Sequence, residues 1–492
     1  MDDTDNKGKA MTLNRIVNNS LIQKIISPLL LHYIETLERS GHTKNEGVKK
    51  NIAQFLLNKL FLHIYREAAI PQKHLLFLVS SVHWDGIGDY YALLRSAQTL
   101  KDYHVKIVYT HEQQLPGIHF EDYGLSEDAI YSFREQRDSP ALESVLEGAK
   151  PQNTRQAEVY KLMVNSQGIV HIALALNTFE NPELSSKSIY FSETGNFQGF
   201  ANLNQYGWYS MGLMPYEEGI FLRNPLPSKT HWEAEGFYNY LNAHADNALY
   251  VAYITKTPED QLIFLYLVLY LEKVNSNDCL VVAPRIAQQT LEQLDEQTLR
   301  SLGISQVQVV ENNVVEHTIE TRLTGGKTLI LVHAFPLPMF DFIRTMERSG
   351  KVIGCTGDLS LFDTLMLGKV PFYERSPHKK ELYDSLVVIA RFLSLHHVVN
   401  YFTTARNDDS ALQIAEKLSA ILMTDDFFSQ WATFLQFINR YSTFEDALTA
   451  HVSRLLLRDE FGKLEDTLIQ NVITEEMTPD EACTVLTKAL IR

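Results

Sequence analysis

Residues 74–100 read "HLLFLVSSVHWDGIGDYYALLRSAQTL". An apolar strand over 75–81 runs into a turn holding Gly86 and Gly88, and a helix follows from Tyr90. Strand, glycine turn and helix in that order open a dinucleotide-binding unit. The details depart from that pattern. A third small residue is wanted where helix meets strand, and Tyr91 stands there. No acid follows the next strand, "HVKIVYTH" (104–111), to hold a ribose. Asp89 sits where backbone N–H groups would meet a pyrophosphate. An acid at a helix start is favoured by the helix dipole, so Asp89 reads either as a cap or as a chemical group.

Working outward, residues 12–70 repeat apolar side chains at three- and four-residue spacing, which predicts helices ending before Pro71. "GIVHIALAL" (168–176) predicts another strand, and the Gly- and aromatic-rich stretch 188–222 predicts long loops beside a strand. A second alternation begins near 249. It holds the strand "ALYVAYIT", a helix opened by a Thr257-x-x-Asp260 cap, the strand "DCLVVAP" and a helix over 287–301. Then come "VQVVEN", "TLILVHA", a helix over 338–349, "KVIGCTG", a helix from 359, "VPFYE" and a helix over 377–395. Strands alternating with helices imply parallel sheets covered on both faces. The predicted class is α/β, with two facing Rossmann-like domains and helical N- and C-terminal extensions. The expected boundaries are 1–72 for the first helices, 73–240 and 241–407 for the two domains, and 408–492 for an acidic helical end.

The 492 residues are 45% hydrophobic and 21% charged, enough for more than one core. A net charge of -16 argues against nucleic acid as a partner, since a phosphate backbone asks for a basic face. About half of that charge lies after residue 407. Three widely spaced cysteines, Cys279, Cys355 and Cys483, offer neither a disulfide framework nor a zinc spacing and suit a reducing compartment. The polar start "MDDTDNKGKA" is no secretory signal. The most apolar run, "LIFLYLVLYL" (262–271), is half the length of a membrane span and predicts a buried helix. No membrane span and a cytoplasmic location are therefore expected.

A second glycine–acid turn follows a strand at 354–374, "GCTGDLSLFDTLMLGKVPFYE". Thr356, Gly357, Asp358 and Ser360 form the turn, and Gly368 stands at the helix stop. Backbone N–H groups at 358–360 and the Ser360 hydroxyl would point at an anion; a plain capping turn is the other reading. Ligands of open α/β sheets bind outside the carboxyl ends of the strands, where both turns fall.

Taken together the two turns resemble GT-B glycosyltransferases. The nearest pattern is that of bacterial protein-arginine rhamnosyltransferases, with a more distant similarity to heptosyltransferases. In the former an early Asp-x-x-Gly-Asp turn is matched in its two acids by Asp85 and Asp89. A late Gly-Glu-Asp-Ser, followed by a helix and Gly-Lys-Pro-Phe, is met here by Gly357-Asp358-Leu359-Ser360 and Gly368-Lys369-Val370-Pro371-Phe372. Asp replaces Glu, and one residue precedes the proline. The architectural likeness spans about residues 74–395, whereas motif identity is confined to these two stretches.

The resemblance implies an inverting transfer of sugar from a nucleotide-sugar donor. Asp89 is then the candidate base and Asp85 its orienting partner, with Gly86 and Gly88 letting the acceptor or sugar approach. Thr356, Gly357, Asp358, Ser360 and Lys256 are donor-binding candidates, joined by Tyr373 and Glu374 at the nucleoside. Trp208 and Tyr209 are acceptor-binding candidates, with Glu217 and Glu218 in the same wall. His333 and His378 also fall at strand ends, where a structural or surface role is the ordinary expectation. No cofactor and no metal are expected, since the sole Asp-x-Asp is Asp3-Thr4-Asp5, near the start of the chain. The resemblance tilts the acceptor toward a protein side chain, and a bacterial protein translocated into a host cell fits that picture. A catalytically silent GT-B scaffold binding a protein partner, and a nucleotide-sugar epimerase or hydrolase, remain as alternatives.

Overall fold

The computed structural model describes residues 13–43, 45–68, 74–82, 87–111, 120–134, 154–172, 182–192, 207–223 and 232–491. The chain divides into two units. One comprises residues up to Ile220 together with Tyr441 and beyond; the other is Phe221–Arg440.

In the first unit, strands β1 (Leu75–Val82), β2 (His104–His111), β3 (Ile130–Arg134), β4 (Gly168–Ile172), β5 (Ser188–Ser192) and β6 (Trp208–Ser210) form one sheet in the order β3-β2-β1-β4-β5-β6. Every pairing is parallel. This is the doubly wound order, whose reversal point lies between β1 and β4. The parallel arrangement follows from burial on both faces: Leu76, Phe77, Leu78 and Val79 form a continuous apolar run and all are buried. The helix after β1 is Ile87–Thr99, beginning earlier than its apolar periodicity suggests.

The helices at the two ends of the chain share a core in this unit. Helix Glu46–Glu67 buries Leu56, Leu57, Leu60 and Phe61 against Leu468, Ile469, Val472 and Leu486. Each such side chain contributes about 1.5–3 kcal/mol when fully buried. Polar contacts fix the register: the Tyr65 hydroxyl donates to Glu465 at 3.0 Å, and Arg454 pairs with Glu465 and donates to Asn58 at 3.0 Å. The return of the chain is anchored at Gly219 (φ +93), where a Cβ would fall 2.3 Å from the Ser442 carbonyl oxygen. Beside it, the Ile220 N–H donates to that carbonyl at 2.9 Å. The acidic end is thus divided: residues to Arg440 belong with the second unit and those from Tyr441 with the first.

The second unit carries β7 (Ala248–Ala252), β8 (Cys279–Ala283), β9 (Ile304–Glu311), β10 (Val314–Glu320), β11 (Lys327–His333), β12 (Val352–Cys355) and β13 (Val370–Tyr373) in the order β10-β9-β11-β8-β7-β12-β13. All are parallel except β10, which pairs antiparallel with β9. Strand β10 is absent from the sequence expectation. Its signal was the Asn312-Asn313 pair, both at positive φ (51 and 64), as a two-residue hairpin demands. The chain reverses sides between β7 and β12. Gly354 permits their close approach, since a Cβ there would lie 2.9 Å from Ile254 and 3.2 Å from the Ala252 Cα.

Helix Pro258–Leu271 buries every residue from Asp260 to Leu269, as its apolar run predicts. Among the described residues no helix is long and apolar enough to cross a membrane. The helix expected over 287–301 is instead two short ones, Gln288–Glu292 and Glu296–Ser301. Asp295 breaks them by accepting the Thr298 N–H at 2.7 Å as the cap of the second.

Candidate functional site

The carboxyl ends of β7, β12 and β13 converge at the reversal point of the second sheet, where open α/β sheets bind ligands. A polar cluster occupies it. Glu374, the residue after β13, is 1% exposed. Its Oε1 accepts the backbone N–H groups of Lys256 and Thr257 at 2.7 and 2.6 Å, and its Oε2 accepts the Thr356 hydroxyl. The Thr255 and Thr356 hydroxyls lie 3.1 Å apart. One buried carboxylate therefore ties the loop after β7 to the turn after β12, and its charge is met by donors on both sides.

The Thr257-x-x-Asp260 cap does not form. Thr257 makes no side-chain capping bond. Asp260 instead accepts the Arg375 backbone N–H at 2.7 Å and pairs with its guanidinium at 2.5 Å. Burial raises the Asp260 pKa, against the pull of Arg375.

Helix Asp358–Met366 starts at Gly357, and here the Ser360 expectation is corrected. Its hydroxyl accepts the Gly357 N–H at 3.1 Å and donates to the Gly357 carbonyl at 2.7 Å. It is buried, and both bonds turn it back onto the Gly357 backbone instead of toward an anion. Gly357 has φ -97, and a Cβ there would meet only Ser360 Oγ at 3.9 Å, so space opens beside it.

Tyr373 and Glu374, expected at the nucleoside, are corrected too: both are buried supports. The Tyr373 hydroxyl donates to Asp358 Oδ1, and its pKa is raised by burial and then by Asp358. Lys379 Nζ stands 5.1 Å from the centre of the Tyr373 ring, and burial lowers its pKa against the opposing pull of Asp358. Lys256 is exposed, and Asp358 and Gly357 are half-buried. Thr255, Asp260, Arg375 and Lys379 were missed by sequence reasoning. Thr255 could have been found as the residue beside Lys256; nothing local marks Lys379.

In the first unit, Asp89 is the third residue of helix Ile87–Thr99 and is half-buried. A Cβ at Gly88 would meet nothing within 4 Å. Asp85 and Gly86 lie outside the described residues. Trp208, half-buried on edge strand β6, stacks on Tyr190 with ring centres 4.5 Å apart, and Tyr190 stacks on His171 at 4.4 Å. Tyr209 lies against His451, with ring centres 3.7 Å apart. Glu217 accepts the Met214 N–H at 2.7 Å. Glu218 is held by Lys59 at 2.6 Å and His451 at 3.3 Å. Both acids are buried, so the acidic pair braces the unit instead of forming an open wall. The His333 ring accepts the Ile286 N–H at 3.1 Å, a structural role. The His378 side chain lies outside what is described.

The strand orders decide the fold. Each unit is a Rossmann-like sheet, the second carrying one added antiparallel strand. No family model and no curated protein sequence matches the chain. Among solved structures it is similar to an O-GlcNAc transferase of Thermobaculum terrenum, at 14% identity and a TM-score of 0.36, over 89% of this chain and 79% of that one. It is also similar to a UDP-N-acetylglucosamine 2-epimerase, at 12% identity and a TM-score of 0.42, over 80% and 97%. A structure of EarP, described for arginine glycosylation of translation elongation factor EF-P, is similar at 11% identity and a TM-score of 0.34, over 76% and 97%. At these scores the likenesses carry no argument.

Proposed function

We propose that the chain is a nucleotide-sugar-dependent glycosyltransferase, inverting and metal-independent, with a protein side chain as acceptor. The observation that carries this reading is the polar cluster at the reversal point of the second sheet, built around buried Glu374. It fixes a helix N-terminus and an exposed lysine at the place where such sheets take anionic ligands.

In this reading the second unit holds the donor. The diphosphate lies against the N-terminus of helix Asp358–Met366 beside Gly357, where unpaired N–H groups and the dipole favour negative charge, and Lys256 adds a cation. Asp358, already accepting Tyr373, offers its other oxygen to a sugar or ribose hydroxyl. The first unit supplies the base. As the acceptor atom bonds to the anomeric carbon, its proton passes to Asp89. The bond from that carbon to the diphosphate oxygen breaks, and the nucleoside diphosphate leaves with the electron pair. Attack opposite the leaving group inverts the anomeric centre. Trp208 offers a flat face on the acceptor side.

The test is incubation with a panel of nucleotide sugars, measuring nucleoside diphosphate release with and without a cell lysate. Release that requires lysate, with sugar recovered on a protein, is the expected result. Release without lysate indicates hydrolase or epimerase chemistry. No release under either condition leaves a scaffold and overturns the proposal.

A further inference from the structure

Lys379 ends the short turn Pro377–Lys379 that follows strand β13 and the buried Glu374. It is 8% exposed, and a lysine is seldom so buried unless it is paired. Its Nζ stands 5.1 Å from the centre of the Tyr373 ring. The hydroxyl of that ring donates to Asp358, the first residue of helix Asp358–Met366, so the ammonium lies toward the start of that helix. Burial lowers its pKa, and the titratable groups acting on it are Asp358, Cys355, Glu374 and Lys256. All four sit in or beside the polar cluster at the carboxyl ends of β7, β12 and β13.

None of them meets the ammonium by contact. Among the described residues Lys379 Nζ makes no hydrogen bond and no ion pair. The neighbouring carboxylates are occupied. Glu374 takes the Lys256 and Thr257 N–H groups and the Thr356 hydroxyl, and Asp358 Oδ1 takes Tyr373. A buried ammonium gives up its hydration and is ordinarily repaid by hydrogen-bond acceptors. The Tyr373 ring face offsets part of that cost but supplies no oxygen. A buried cation without an acceptor, beside a helix N-terminus, marks the place of an anion that a ligand brings.

We propose that Lys379 pairs directly with the donor diphosphate, as the inner cation of a site whose outer cation is the exposed Lys256. The inference rests on the donor site of the glycosyltransferase reading and names the residue that holds the donor from inside. A compact ammonium is strongly hydrated in water, so a charged phosphate oxygen replaces that hydration better than a neutral sugar hydroxyl does. The helix N–H groups meet the diphosphate beside Gly357, and Lys379 meets it from the Tyr373 side.

The probes are uridine, guanosine, cytidine and thymidine diphosphates, titrated calorimetrically into the full chain. Lys379→Met keeps the length and the apolar stem and removes the charge. Its unfolding midpoint should be unchanged or higher, because a buried charge without an acceptor is gone. Its affinity for the diphosphate that binds should fall about tenfold or more. Lys379→Arg keeps the charge and should stay within several-fold of the unsubstituted protein. A further readout needs no variant. Titration at about pH 9.5, in two buffers of different ionisation heat, should show proton uptake on binding, because the anion pulls the lowered Lys379 pKa back up. A methionine variant that binds as tightly as the unsubstituted protein overturns the proposal and leaves the donor site standing. Lost stability in that variant, with no proton uptake in the unsubstituted protein, makes Lys379 a brace of its turn and overturns the proposal too. If the unsubstituted protein binds none of the four up to about 10 mM, the donor site itself falls, and this inference with it.

Discussion

Glu374 Oε1 accepts the backbone N–H of Lys256 at 2.7 Å across 118 residues of sequence. The same oxygen takes the Thr257 N–H, and the other takes the Thr356 hydroxyl. Removing this carboxylate orphans donors on two loops at once. Glu374→Ala is expected to cost about 1–3 kcal/mol in denaturant unfolding and to abolish nucleoside diphosphate binding, because both loops lose their position. Unchanged stability and unchanged titration would show that the loops are held by other contacts.

Asp89→Asn tests the base. The helix start tolerates asparagine, so the unfolding midpoint should stay close to that of the unsubstituted protein. Turnover should fall about 10²–10⁴-fold, with donor affinity kept. A variant with normal turnover assigns Asp89 to the helix terminus alone.

Gly357 and Ser360 now separate stability from affinity. A Cβ at Gly357 has 3.9 Å of clearance and an ordinary φ, so Gly357→Ala should fold normally while intruding where the diphosphate is placed. Its donor affinity should drop about tenfold. Ser360→Ala breaks the cap and should lower stability by about 1 kcal/mol, with a smaller effect on binding. The opposite ranking in paired titration and denaturation experiments would remove the diphosphate from this turn.

Acid should destabilise the first unit in two stages. Burial lowers the His451 pKa, so the folded state resists a proton that the unfolded chain binds, and stability is lost as pH falls through the ordinary histidine range near 6.5. Burial works against ionisation of Glu218, but Lys59 and then His451 outweigh it and bring the carboxyl down to about 2. That contribution is intact above the unfolded value of 4.5 and fades as pH falls toward 2. Glu218→Gln should lower stability at neutral pH and flatten the stage below 4.5, measured by denaturant unfolding across pH. A variant that keeps the full slope there would assign the acid response to other carboxylates.

The sequence by itself determined the strand–helix alternation of both units and many of its elements, though not strand β10 or the break at Asp295. Strand β2 was legible to the residue in "HVKIVYTH", and the burial of helix Pro258–Leu271 in its apolar run, because period and continuity of apolar side chains are local properties. The glycine at 357 was legible from turn chemistry and stands at the start of helix Asp358–Met366, whereas Gly88 of the earlier stretch lies inside helix Ile87–Thr99 and Gly86 lies outside the described residues. Tertiary structure alone decided what the polar residues do. Ser360 and Glu374 are chemically able to meet a phosphate or a ribose, and only folding turned the first into a cap and buried the second under backbone donors. Tyr65 meeting Glu465 across 400 residues likewise joined two helical ends that read as separate extensions. A carboxylate or hydroxyl carries its chemistry in its identity, but its partner is chosen by whichever distant segment packing brings within 3 Å, and no local period encodes that choice.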